Sequence, residues 1–473
     1  MNKNKDTAWQ KLNRLIKTCR FNIVNSFGYI FLSGKLPIES AYKKGIWENW
    51  CDDYSCRPNN YYLPETEEEI CQIIKKSKKV RVVGGGHSFN ESPLCEDTII
   101  SLDKYKKILQ IDQKKKIVRL QTGIRLFELT EILQNNNFAL PVLGSTNHQS
   151  IGGLIATDLH GTGKDHGFLS EQILSLRIVD GLGRAKTFRK GSPVFHAAIG
   201  GIGLCGIVTE VELQCVENFQ LVKTMKIIDR LFVKEGFEII LANNDHVSFY
   251  YFGGTNHQEV RVNMWNHTKI KASKHGIIWK RLIELIDMSC AGFLLGAAEF
   301  LQIENLAIKA IFAFGKSGLS RREAQVYKWH DGFPRTLFFR HDEIEIGIPA
   351  ERFPECIKDV LDMLSKEKFV TIIEVRFSPN NSEALIGPGV GRRTCYIELA
   401  ASTGKNQMKV FKLFEKILLK YGGQPHMGKK IWMKIKDFKR IYGSKIETFL
   451  TVRKKQDPKN KFVNKFANEI FSI

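Results

Sequence analysis

The stretch Val80-Arg81-Val82-Val83-Gly84-Gly85-Gly86-His87-Ser88 joins a short β-branched run to three consecutive glycines. Branched side chains favour an extended strand, and the glycines that follow can take backbone conformations closed to other residues. Successive N–H groups in such a turn form an anion-binding nest. The spacing differs from the G-x-G-x-x-G of a dinucleotide fingerprint, and no lysine–serine pair of a P-loop follows. A second loop, Gly144-Ser145-Thr146-Asn147-His148-Gln149-Ser150-Ile151-Gly152-Gly153, leads into Ala156-Thr157-Asp158-Leu159-His160-Gly161-Thr162-Gly163. Two glycine- and hydroxyl-rich loops in one unit can wrap a long diphosphate cofactor between them.

Around these loops the chain alternates strands and helices. Thr66–Lys79 reads as a helix capped by Thr66 with Glu69 three residues on, and Glu67 and Glu68 oppose the helix dipole in its first turn. Strands are expected at Ile99–Leu102, Ile117–Gln121, Ile173–Val179 and Ile207–Leu213, and a helix over Arg125–Asn135 leads into Leu140–Leu143. Positions 52–220 thus form an α+β unit. After Gln220 come aromatic strands such as Val247–Tyr251, then β-rich runs with embedded charge over 335–400. An amphipathic helix is expected over 405–421, and Asp457-Pro458 reads as the opening of the last helix.

A hydrophobic fraction of 43% over 473 residues suffices for two or three cored domains and excludes global disorder. The net charge of +21 is uneven. Residues 1–45 carry nine Lys/Arg against two acids and 404–473 carry eighteen against five, which leaves about +1 for everything between. The ten cysteines are scattered without a Cys-x-x-Cys pair, as in a reduced cytoplasmic protein. Leu12, Leu15, Ile16, Cys19 and Ile23 recur at helical spacing opposite Lys11, Arg14, Lys17 and Arg20. That pattern fits either a surface helix of the domain or a basic helix lying on an anionic membrane. The apolar run Met288–Leu301 is broken by Glu299 and reads as a buried helix rather than a membrane span.

The elements Gly-Gly-Gly-His-Ser at 84–88, Ile-Gly-Gly at 151–153 and His-Gly-Thr-Gly at 160–163 resemble the FAD-binding (PCMH-type) domain of vanillyl-alcohol-oxidase-type flavoproteins. The chain is most similar there to the aldonolactone and alditol oxidases, from about Trp47 to the C-terminus; Trp47-Glu48-Asn49-Trp50 and Cys56-Arg57-Pro58 also look like that family's entry segment. The resemblance implies an α+β fold. It would comprise a basic N-terminal extension (1–45), a two-subdomain FAD-binding domain (46–220), a substrate or cap domain with an antiparallel sheet (221–420) and a C-terminal segment returning to the FAD domain (421–473). It implies FAD held by Gly84, Gly85, Gly86, His87, Ser88, Phe89 and Asn90 of the first loop. From the second it adds Ser145, Ser150, Gly152, Gly153, Thr157, Asp158, Leu159, His160 and Gly161, and further on Ile207. It further implies a covalent bond from His87 to the flavin, chemistry that needs a neutral imidazole as nucleophile. Asp158-Leu159 departs from the small pair usual before His-Gly and is similar to relatives acting on a lipid-linked sugar.

Two further segments resemble the family's catalytic constellation. In Thr371-Ile372-Ile373-Glu374-Val375-Arg376-Phe377 the i, i+2 spacing puts Glu374 and Arg376 on one face of a strand. On spacing alone this is an ordinary salt bridge; the resemblance makes it the substrate-contacting pair. Gly422-Gly423-Gln424-Pro425-His426-Met427-Gly428-Lys429 looks like the family's Gly-Gly-x-Pro-His-Trp-x-Lys, with Met427 in place of tryptophan. By resemblance Arg376 and Lys429 stabilise charge on the reduced flavin, Glu374 orients a substrate hydroxyl, and His426 or Glu374 takes its proton. Gly391-Arg392-Arg393 stands where relatives carry Gly-Arg-Asp, so Arg393 is either a selector for anionic substrates or a solvated charge. His148, His166, His196 and His341 lack convergent spacing and read as structural, and no metal is expected.

The expected function is oxidation of a CH–OH group of a sugar lactone or polyol, with oxygen or another acceptor taking the electrons. A membrane-associated flavoenzyme acting on a lipid-linked sugar or sterol-like substrate is the first alternative, and a basic surface-binding protein on a flavin fold is the second. The expected location is cytoplasmic, or peripheral at an anionic membrane, and no nucleic-acid partner is expected. The two basic ends are expected on one side of the FAD domain.

Overall fold

The computed structural model describes residues 41–255, 257–272, 325–333, 341–401 and 405–473. The amphipathic pattern at 11–23 and the run Met288–Leu301 lie outside the described residues. Val80–Val83 is a strand, paired in parallel with Thr98–Ser101, which pairs in parallel with Asn60–Tyr62. Its Gly84–Gly86 exit sits where the sheet ends, and Gly86 adopts φ +68°. The helix Glu67–Lys76 packs beside this sheet, with Thr66 Oγ1 accepting from Glu69 N at 3.2 Å. A second, antiparallel sheet carries Ile173–Val179, Ile207–Gln214 and Ile117–Gln121 at its centre. The two sheets and the helices Leu126–Asn135 and Ile151–Ala156 form the FAD-domain body.

The second layer is an eight-stranded antiparallel sheet. Its order runs Gln325–Lys328, Gln220–Asp229, Glu259–Thr268, His246–Gly253, Thr371–Ser378, Thr394–Ala401, Asp342–Pro349 and Gln424–Pro425. Alternation sorts its side chains. Ile344, Ile346, Ile397, Leu399, Ile373 and Val375 share the face covered by the helices Phe353–Lys366 and Lys405–Lys420. The opposite face carries Glu345, Glu398 and Glu374 directly across three neighbouring strands. That polar face is buried as well, because it closes over the glycine loops.

The C-terminal segment crosses back to the FAD domain. Arg81 donates to Phe462 O at 2.7 Å, Lys79 to Asn460 O at 2.8 Å, and Asn464 to the carbonyls of Glu91, Ser92 and Leu94.

Three local expectations differ from the fold. The run after Asn135 gives only the short strand Phe138–Ala139, paired with Val216–Glu217, and 140–143 is irregular. The 335–400 region contains the fourteen-residue helix Phe353–Lys366, whose start Pro354 favours. Asp457 closes the helix Ser444–Gln456, and the last helix, Lys465–Phe471, is capped by Asn464. Asp457 instead accepts the backbone N–H groups of Lys461 and Phe462.

Candidate active site

A cleft partly open to solvent runs between the glycine loops and the polar face of the cap sheet. Gly84, Gly85, Gly86, His87, Ser88 and Phe89 line it, with Ser145, Ser150, Gly152, Gly153, Thr157, Leu159 and His160. No side chain fits at Gly84 or Gly85. A Cβ on Gly84 would lie 2.0 Å from Ser150 Oγ, and one on Gly85 would lie 2.7 Å from an Arg125 nitrogen and 2.8 Å from His148 O. Thr146 Oγ1 and Gln149 Oε1 on the cleft wall are buried without a protein partner. Glycine loops flanked by an unmatched hydroxyl and side-chain amide fit a diphosphate-bearing cofactor. Trp47, fully buried, lies along the wall, and Trp50 stacks on His87 at 5.6 Å.

Five expected contacts lie off the cleft wall. Asn90 turns its amide to Met427 O at 2.9 Å and Lys429 O at 2.7 Å, so it ties the two loops together. Asp158, at φ +52°, points away to Ser382 Oγ at 2.6 Å. Gly161 pairs with Gly167, and Ile207 belongs to the core beneath, leaving Gly206 and Val208 on the wall. Glu374 accepts from Tyr250 Oη at 2.7 Å and is set back from the cleft. Arg393 pairs with Glu238 at 2.8 Å, both about half exposed, which makes it the solvated charge.

Arg376, His426 and Lys429 line the cleft together with two residues that sequence reading missed, Glu343 and Glu345. Arg376 donates to Glu345 Oε1 at 2.8 Å and Glu398 Oε2 at 3.0 Å. Glu345 also accepts from His160 Nε2 at 2.9 Å; burial would raise its carboxyl, but Arg376, helped by the His160 contact, holds it well below the usual range. His160 stacks on Tyr396 with ring centroids 3.7 Å apart. Lys429 Nζ contacts Glu343 Oε2, lies 3.5 Å from Glu398 Oε2, and sits over the Phe89 ring. His341, read from sequence as structural, gives Nε2 to Glu343 Oε1 at 2.6 Å and so joins the network. The only sequence signal for this set was the alternation Glu343-Ile344-Glu345-Ile346, two acids on one face of an apolar strand.

Burial fixes the protonation of the imidazoles. His87 is pushed well below the usual histidine range by burial, with His148, Arg125 and Lys429 adding to the effect. His426 is pushed down to about 4 by burial, which Glu345 opposes. Gly428 N–H donates to His426 Nδ1 at 3.0 Å, which assigns the proton of the neutral ring to Nε2. Next to this network Lys430 Nζ bridges Asp53 at 2.7 Å, Asp342 at 2.9 Å and the Tyr54 hydroxyl at 2.9 Å, which pins the entry segment to the cap strand.

Residues 211–470 match the D-arabinono-1,4-lactone oxidase family model. The chain belongs to the D-arabinono-1,4-lactone oxidase family. An FAD binding domain model matches residues 58–189, the part that carries both glycine loops. Membership and cofactor domain together make the chain an FAD-dependent oxidoreductase. Along its length it is 28% identical to L-gulonolactone oxidase of Mus musculus, covering 91% of this chain and 99% of that protein. L-gulono-1,4-lactone dehydrogenase of Mycobacterium tuberculosis is 27% identical, with 90% and 99% covered, and D-arabinono-1,4-lactone oxidase of Kluyveromyces lactis is 25% identical, with 93% and 99% covered. Among solved structures, cholesterol oxidase of B. sterolicum superposes with a TM-score of 0.67 at 14% identity, over 90% of this chain and 96% of that one, which shows the shared fold.

Proposed function

We propose that this family member oxidises a CH–OH group of a sugar lactone, with polyols as secondary substrates. The observation that carries the reading is the convergence of Arg376, Lys429 and His426 on the cleft beside the Gly84–Ser88 loop. FAD bound along those loops supplies the two-electron acceptor for the hydride leaving the carbinol carbon. Arg376 and Lys429 offer positive charge where negative charge gathers on reduction. In the tautomer assigned by Gly428, His426 presents Nε2–H to the cleft side of the site. It therefore aligns a substrate oxygen by donating to it, and the hydroxyl proton leaves to solvent through the open side of the cleft as the hydride departs. The buried Glu345 holds the Arg376 guanidinium and the His160 ring in place, so the donors need not reorganise when substrate arrives.

The neutrality of His87, with no lysine or acid competing for its ring in the loop, supports covalent attachment through this residue. Denaturing the holoenzyme and reading flavin fluorescence on the polypeptide tests that: the wild type keeps its flavin, and His87→Ala releases it. Flavin lost from both would leave only non-covalent binding. Anaerobic bleaching by a panel of sugar lactones, polyols and lipid-linked sugars tests the substrate; bleaching by the lipid-linked sugars alone would overturn the lactone reading. Oxygen or another acceptor completes the cycle. The exposed lysines of the C-terminal helices support peripheral contact with an anionic membrane in a cytoplasmic setting.

A further inference from the structure

Lys429 enters the cleft on the turn after His426, where burial pushes its ammonium down to about 7. A neutral amine would have no charge to offer a bound flavin. Two carboxylates meet Nζ and act in the opposite direction. Glu398 Oε2 stands 3.5 Å away and is already committed to Arg376 at 3.0 Å. Glu343 Oε2 is in direct contact, and its other oxygen is fixed by His341 Nε2 at 2.6 Å. Glu343 thus links a buried ring to the Lys429 ammonium, and it lines the cleft itself. Other groups also surround Lys429. Asp342 favours its charge from a distance but is bound to Lys430, and His87 faces it as a neutral ring. Phe89 offers its π face at 4.7 Å, and His426 lies on the same turn.

We propose that Glu343 is a positioning residue: it keeps Lys429 charged and aimed into the cofactor cleft, with His341 fixing the carboxylate from behind. The role rests on the FAD reading and on no particular substrate. The nearest alternative carboxylate, Glu398, cannot replace it without giving up Arg376. Glu374 cannot reach Lys429 either, since it is turned towards Tyr250.

The test is the flavin midpoint potential of the holoenzyme, followed by absorbance from neutral to alkaline pH. The wild-type plot of potential against pH breaks where Lys429 loses its proton, and Lys429→Met removes that break. Glu343→Gln moves it down by at least about one pH unit, a tenfold loss of proton affinity, while Glu343→Asp leaves it closer to the wild-type position. A Glu343→Gln break at the wild-type pH, or one that survives Lys429→Met, overturns the proposal. Should Glu343→Gln fail to hold flavin, His341→Gln decides: it keeps the carboxylate and removes its anchor. A downward shift then supports the role, and an unmoved break overturns it. Failure of every lactone to bleach the flavin would sink the substrate reading and leave this one standing.

Discussion

At the scale of single residues, the least expected feature is a buried acid beside the second glycine loop. Asp158 is 1% exposed, and burial raises its carboxyl to about 7 despite the Ser382 hydroxyl. The sign of its linkage follows from that. The folded state holds the proton up to about 7 while the unfolded chain releases it near 3.8, so stability is lost as pH rises between those values. Asp158→Asn removes the ionisable group and keeps a residue that tolerates φ +52°. It is expected to stabilise the protein at pH 8 by on the order of a few kcal/mol and to change little near pH 4. Thermal melts of both proteins across that range check this; an equal effect at both ends would show that the carboxyl ionises normally. The position reads in the sequence as an odd residue in a cofactor motif, and only the direction of its side chain removes it from the cleft.

At the scale of elements, the three strands Asp342–Pro349, Thr394–Ala401 and Thr371–Ser378 carry the chemistry. Their register sets Glu345, Glu398 and Glu374 side by side, with Arg376 offset by one pleat so that its guanidinium bridges two of them. Such a buried cluster tolerates no missing partner. Glu345→Ala strips His160 of its carboxylate and leaves Arg376 only Glu398, and is expected to lower stability by about 3 kcal/mol. Arg393→Ala removes one half of an exposed pair with Glu238 and is expected to change stability by less than about 1 kcal/mol, with kcat/KM unchanged for neutral and anionic sugars alike. Chemical denaturation and steady-state kinetics of the two variants check the contrast. A kcat/KM loss confined to anionic sugars in Arg393→Ala would restore it as a substrate selector.

At the scale of the whole molecule, the cap sheet must sit on the glycine loops for any of this to form, and the C-terminal segment secures that seat. Residues 457–464 give carbonyls to Lys79 and Arg81 at the strand that feeds the first glycine loop. The C-terminal segment also leaves Lys436, Lys454, Lys455 and Lys459 exposed. Residues 1–40 lie outside the described residues, so the expected placing of both basic ends on one side falls partly on them, and the lysines of the C-terminal segment carry the prediction that follows. The protein is expected to bind phosphatidylserine-containing vesicles in low salt, to be released as salt rises, and to ignore neutral vesicles. Cosedimentation measures this, and equal binding to neutral vesicles would assign the attachment to apolar contact.

The sequence by itself determined the cofactor domain, since Gly84 and Gly85 pack too closely against Ser150, Arg125 and His148 for a side chain and Gly86 takes a left-handed φ, and a local motif records such constraints. It also determined the pairing of Glu374 with Arg376 on one strand face, because a period of two is a local rule. The tertiary structure decided which of those residues face the cleft. Glu343, Glu345, His341 and Lys429 come from segments more than eighty positions apart, and only strand register and the return of the C-terminal segment bring them together. It also decided that Glu374 stands back, that Arg393 is solvated, and that His426 carries its proton on Nε2. Glu374 and Arg393 take these places through partners distant in the chain, Tyr250 and Glu238, and the His426 tautomer follows from how its own turn folds, which no local pattern encodes.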